Sequence, residues 1–313
     1  MLMTYAANLL VLVGTILFCN FRLALCGRLG LLDVPGERKL HRSVTPLAGG
    51  LVLTLVVCPS LLLYALFGNV GEYREVLLLF LGATFAMALV GLADDRHSLS
   101  ATGRIAIAAT VFALLAAADP IFDVRLLNFV MFDLQFGVGS WLLSIAFTVL
   151  CCVGLVNAVN MADGKNGLVI SLCIGWLLIL IYHAPSELLC AIVALCVALT
   201  VLLIFNLRGL LFLGDGGSYG FATAVGLLTI AVYNVSATNG GRQLAAEEVM
   251  LMFSVPVIDS FRLTYVRLRS GRSPMSADRN HLHHHLQNAL GWPKGLLVYL
   301  AISLLPAAVV TLL

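Results

Sequence analysis

Apolar runs about as long as a bilayer is thick recur along the whole chain, and no other feature narrows its folding choices so far. They fall at about residues 2–25, 47–67, 75–93, 102–118, 140–157, 166–182, 187–205, 217–235, 247–267 and 294–313. A hydrocarbon core roughly 30 Å thick is crossed by about 20 apolar residues in a helix. The runs are apolar all round, without the alternation of a membrane barrel, and in lipid each segment must satisfy its own backbone groups. The prediction is an all-α, polytopic membrane bundle of about ten transmembrane helices, forming a single domain over residues 1–313. Gly137, Gly139 and Ser140 blur the start of the fifth span.

Charge sets the orientation. Only 11% of the residues are charged, against roughly 25% in a soluble domain. The net charge of +2 is too small to suggest a nucleic-acid partner. If the N-terminus lies outside and the spans alternate, Arg74, Arg125 and Arg242 lie on the outer side, and the other fifteen of the eighteen Lys and Arg lie in or beside inner loops. That asymmetry marks the inner face as cytoplasmic. Leu2 to Ala24 has no basic segment before it and reads as a first span, not a removed leader. The eight cysteines form no CxxC pair and read as small buried hydrophobes. Residues 119–139, the longest outer connection, mix β-branched and aromatic residues and predict a small hairpin at the membrane surface.

Five inner loops hold polar clusters. In the first, Lys39 and His41 offer charge and Gly49-Gly50 permits close backbone approach, which suits a phosphate; a basic anchoring loop is the alternative. In the second, Asp94 and Asp95 repel each other unless a cation or a bound group offsets them; a solvated helix end is the plainer reading. In the third, Asn157, Asn160 and Asp163 recur at helical spacing and suit a hard cation, before Gly164 and Gly167 break the helix. In the fourth, Asp215 stands among glycines at a helix start, where a metal and its phosphate ligands can approach the backbone. In the fifth, His281, His283, His284 and His285 follow Arg279. His281 and His285 have the i, i+4 spacing of a zinc pair, without the glutamate of a metalloprotease, and imidazoles beside Arg279 equally suit a diphosphate. Asp259, inside span nine, reads as the partner of Arg262 one turn on.

The ordered set of DD at 94–95, NxxNxxDGxxGL at 157–168, FLGDxGS at 212–218 and DRNHLHHH at 278–285 resembles the polyprenyl-phosphate N-acetylhexosamine-1-phosphate transferases. The closer likeness is to the WecA- and TagO-like branch, with MraY more distant. The resemblance implies a UDP-N-acetylhexosamine donor, GlcNAc above all, undecaprenyl phosphate as acceptor, and UMP and a lipid-linked diphosphosugar as products. It implies Mg2+, for which Mn2+ can substitute, and a bacterial inner-membrane enzyme that starts a surface glycan, with a homodimer allowed. Asp215 and Asn160, with Asp163, would be metal ligands. Asp94 and Asp95 would act on the acceptor phosphate, and Asn166 would meet the uracil. Arg279 with His281, His283 and His284 would hold the diphosphate, and Arg104 and Asn206 complete the substrate set. Ser98, Arg104 and Gly209 depart from the family's usual acidic or amide residue, lysine and proline, and an eleventh helix of some relatives would be missing. A membrane transporter and a zinc-dependent hydrolase built on the histidines are the competing readings.

Overall fold

The computed structural model describes residues 2–35, 43–236, 243–273 and 280–312. Nine helices among them are long and apolar enough to cross a membrane, making this a multi-pass membrane protein. They are α1 (Leu2–Arg28), a helix over Gly49–Phe67, α4 (Tyr73–His97), α5 (Ala101–Ala118), α6 (Trp141–Ala162), α8 (Ser186–Leu207), α9 (Gly214–Ser236), α10 (Ala246–Arg269) and α12 (Lys294–Leu312). The Gly49–Phe67 helix comprises α2 (Gly49–Val52), a π-helical turn (Leu53–Val57) and α3 (Cys58–Phe67). A wider turn of this kind inserts one residue into the ladder.

The sixth predicted span is α7 (Leu168–His183), a shorter apolar helix of 16 residues, about 24 Å long at 1.5 Å per residue, which runs from the loop after α6 to His183, where it meets Glu248 near the start of α10. The fifth span starts at Trp141 and runs on to Ala162, a few residues past its predicted end, so Asn157 and Asn160 lie in its last turns at the helical spacing expected. The short helix α11 (Leu282–Leu290) carries the histidines and packs against α12.

Helix α9 is the axis of the bundle, with 89% of its apolar window buried. Its first turns are glycine-rich because two other backbones press on them. A Cβ at Gly91 of α4 would stand 2.2 Å from the Asp215 carbonyl oxygen, and one at Gly50 of α2 would stand 2.8 Å from Gly216. Small residues at such crossings let membrane helices meet backbone to backbone. The lipid-facing surface is the reverse, with Leu9, Leu10, Leu17 and Phe21 of α1 all exposed.

The predicted hairpin forms. Strands β3 (Leu126–Phe129) and β4 (Leu134–Gly137) pair antiparallel, with Asn128 opposite Gln135. It is pinned to the bundle by the Tyr233 hydroxyl, which accepts from the Asn128 N–H at 2.7 Å and donates to the Leu126 carbonyl at 3.0 Å. At the opposite end, β1 (Leu32–Asp33) pairs with β2 (Thr45–Pro46), and the Ala48 and Gly49 N–H groups bond the carbonyls of Phe212 and Leu213. The first and fourth polar loops are thereby sewn together.

Candidate active site

The motif-bearing end holds a cavity of about 400 Å³, lined by residues from six stretches of the chain. Asp95 comes from the end of α4, Asn160 from α6, Asp163 to Asn166 from the loop after it, Asn206 from α8, and Gly214 and Asp215 from the start of α9. Asp33 and Leu47 close the remaining wall. Asp33 was not singled out in the sequence, since a lone carboxylate two residues before a proline carries no spacing signal.

The adjacent pair Asp94 and Asp95 is separated by the fold. Asp95 turns towards α9, where its two oxygens accept from the N–H groups of Asp215 at 2.8 Å and Gly216 at 2.9 Å. A carboxylate at a helix start satisfies orphan donors and suits the helix dipole. Here it fixes the turn that carries Asp215. Asp94 turns away and is 5% exposed. It accepts from the Leu99 N–H at 2.7 Å, pairs with Arg104, and accepts from the Tyr219 hydroxyl at 3.3 Å. Asp94 and Arg104 thus stand one layer behind the cavity wall. Ser98, between them in sequence, ends α4 in the left-handed region at φ 50°, where a short side chain such as Asn is tolerated best.

The third motif folds as a helix end followed by a tight loop. Asn160 accepts at Oδ1 from the Ser218 hydroxyl at 2.9 Å, and its Nδ2 reaches the Tyr219 oxygen at 3.5 Å. Asn157 bonds its own helix at the Val153 carbonyl and is not among the lining residues. Burial and the nearby Asp95 push the Asp163 carboxyl up to about 7. Asn206, 4% exposed, uses both ends of its amide on the backbone: Oδ1 accepts from the Gly167 N–H at 2.6 Å and Nδ2 donates to the Leu211 carbonyl at 3.0 Å. Its place lines the cavity, but its bonds hold the loop. Gly209 adopts φ +68°, which proline cannot, so the turn after α8 differs from the one the family's proline would make.

The histidines stand behind this loop rather than in the cavity wall. His281 Nδ1 lies 3.1 Å from Asp259, whose oxygens also accept from the Leu282 N–H. Asp259 keeps its expected partner Arg262 at 2.8 Å, but it also docks α11 onto α10. His283 is 1% exposed, stacked on His281 and pressed against Gly164, where a Cβ would stand 2.5 Å from its Nε2. Burial first, then the adjoining His284 and His281, pull its ring down to about 3. His285 turns to Asn280 at 2.7 Å, so the i, i+4 pair does not converge. Trp292 donates to the Asn166 carbonyl at 3.1 Å and fixes the loop from the α12 side. Lys39, His41 and Arg279 lie outside the described residues.

Among the described residues, those lining the cavity supply oxygens from the carboxylates of Asp33, Asp95, Asp163 and Asp215 and the amides of Asn160, Asn166 and Asn206, with Lys165 as a cation. Asp215 also lies within electrostatic reach of both Asp94 and Asp95. Hard oxygen ligands and surplus negative charge fit Mg2+. Among the described residues no three His, Cys, Asp or Glu side chains form a closed metal cage. That also fits, because Mg2+ commonly takes one or two carboxylates and completes its shell with water and substrate phosphates. It leaves a zinc site on the histidines without support.

Known proteins fall in line with this geometry. The chain is 27% identical over 303 residues to the undecaprenyl-phosphate alpha-N-acetylglucosaminyl 1-phosphate transferase of Escherichia coli O157:H7, covering 92% of this chain and 78% of that protein. The protein of the same name from Yersinia pestis is 28% identical, with 84% and 71% covered. The probable undecaprenyl-phosphate N-acetylglucosaminyl 1-phosphate transferase of Bacillus subtilis (strain 168) is 26% identical, with 83% and 70% covered. The glycosyl transferase family 4 model matches residues 77–233, which include the paired aspartates, the amide motif and the Asp215 turn. The chain belongs to glycosyl transferase family 4.

Proposed function

We propose that the chain transfers N-acetylhexosamine-1-phosphate, with GlcNAc as the sugar, from a UDP-sugar to undecaprenyl phosphate. UMP leaves, and undecaprenyl-diphosphate-sugar begins a cell-surface glycan of the O-antigen, enterobacterial common antigen or teichoic-acid kind. The observation that carries this reading is the meeting of oxygen donors from five stretches of the chain in one cavity at the end of a membrane bundle, in a chain whose relatives are named for this reaction. The charge count supports a bacterial inner membrane with the cavity towards the cytoplasm, where nucleotide sugars are made.

Phosphoryl transfer asks a protein mainly for positioning and charge stabilisation. Asp215, Asn160 and Asp163 would hold Mg2+, which when bound neutralises charge on the diphosphate. Asp95 fixes the helix start beneath Asp215, and Asp94 with Arg104 forms the ion pair behind it. An ionised lipid phosphate is already nucleophilic, so the paired aspartates serve as orienting groups more than as bases. Asn166, held through its carbonyl by Trp292, would meet the uracil. Lys39, His41, Arg279 and His284 would hold the donor's phosphates, with His281 and His283 supporting the loop. Purified protein given a panel of UDP-N-acetylhexosamines should release UMP only when undecaprenyl phosphate and Mg2+ are both present. UMP release that ignores the lipid, or none with any sugar, would sink the reading.

A further inference from the structure

Tyr219, one residue beyond the Gly-rich turn, belongs to none of the motifs and is 3% exposed. Its hydroxyl sits between two site residues, 3.3 Å from Asp94 Oδ2 and 3.5 Å from Asn160 Nδ2. The hydroxyl donates to Asp94, whose oxygens also take the Leu99 N–H and the Arg104 guanidinium, and a hydroxyl has a single proton to give. The Tyr219 proton is therefore committed to Asp94, and its oxygen can only accept. An amide has a donor end and an acceptor end of nearly the same shape, and only its neighbours decide which way round it sits. With an accepting oxygen on one side, Asn160 must present Nδ2 to Tyr219. Its Oδ1 then faces Ser218, which donates to it at 2.9 Å.

We infer that Tyr219 is a positioning residue that sets the orientation of the Asn160 amide, so that an oxygen and not an NH2 group is offered to a divalent cation in the cavity. The inference rests on the proposed metal role of Asn160 and adds a residue that acts through it. The relay runs across three helices, from Asp94 on α4 through Tyr219 on α9 to Asn160 on α6. A carboxylate at position 160 would have two equivalent oxygens and no wrong way round.

That symmetry supplies the test. Mn2+ binding to the full-length, detergent-purified protein, without substrate, is followed by the loss of the free-ion electron paramagnetic resonance signal. Tyr219→Phe removes only the hydroxyl and should weaken Mn2+ binding about 10-fold, in the range seen when an outer-shell partner of a metal ligand is lost. Combined with Asn160→Asp, the same change should alter binding by less than roughly 2-fold relative to Asn160→Asp alone. Unchanged binding in Tyr219→Phe, or an equal loss in both backgrounds, would overturn the inference. So would a Tyr219→Phe protein that fails to fold in both backgrounds, since the hydroxyl would then be holding the bundle and not the amide. Wild-type protein that binds no Mn2+ would instead refute the metal reading itself. UMP release measured on the same samples reports separately on the proposed reaction.

Discussion

The two ends of the bundle both bury carboxylates, yet they use them in opposite ways. At the hairpin end, Asp123 is 1% exposed and wrapped by its own chain: Arg125 at 2.7 Å, the Ser144 hydroxyl at 2.9 Å and the Thr148 hydroxyl at 3.4 Å. Glu248 there meets His183 at 3.2 Å, the Thr311 hydroxyl at 2.8 Å and the Ala245 N–H at 2.7 Å, tying α7, α10 and α12 together. At the cavity end, Asp163 and Asp215 line an open volume beside Asp33, Asp95 and Lys165 among the described residues. A charge enclosed by partners is a fastener. A charge left facing a cavity is held at a cost to stability, and such residues in membrane segments mark sites. The difference between the ends is therefore in the partners, not in the residue types.

The sharpest way to break that contrast is to remove one carboxylate from each end. Asp215→Ala should lower UMP release by roughly 10²–10³-fold or more while leaving the thermal midpoint of the detergent-solubilised protein nearly unchanged. Asp123→Ala should do the reverse, lowering stability by about 2–3 kcal/mol through the loss of its bonds to Arg125, Ser144 and Thr148, with the folded fraction still active. Equal losses of stability in the two variants would erase the distinction.

A smaller effect should appear with pH. His283 faces His281, His284 and Lys165, which oppose its protonation, and Asp259, which favours it. The buried ring stays neutral down to about pH 3, whereas the unfolded chain's ring protonates near 6.5. The unfolded state therefore gains protons first, and stability should fall as pH drops from 6.5, by up to about 1.4 kcal/mol per unit. Melting of wild type and His283→Phe across pH 7.5 to 5 should show that slope in wild type and a flatter one in the variant. Parallel slopes would mean the ring is open to solvent. Smallest of all, Ser98→Asn should raise stability by about 0.5 kcal/mol by easing the left-handed turn after Asp94, with UMP release unchanged.

Much of the site was legible in advance because its residues sit in short polar breaks between apolar runs. Asp95, Asn160, Asp163, Asn166, Asn206 and Asp215 do share one cavity. What they do there was less legible. Nothing in the DD pair tells that one carboxylate caps a helix 120 positions later while its neighbour joins Arg104. His283 and Asn206 look in sequence like ligands; in the fold His283 is buried against Gly164, and Asn206 lines the cavity while its amide bonds Gly167 and Leu211. Asp33 and Tyr219 lay outside every motif.

The sequence by itself determined the membrane bundle, its spans to within a few residues, the hairpin and the gathering of polar loops at one end. These follow from hydropathy and turn chemistry, which act over neighbouring residues. Only the tertiary structure decided which carboxylates are enclosed and which face the cavity, and which way round Asn160 sits. Each of those depends on partners from distant helices. A polar side chain's role in lipid is set by whichever donor or acceptor packing brings within 3 Å.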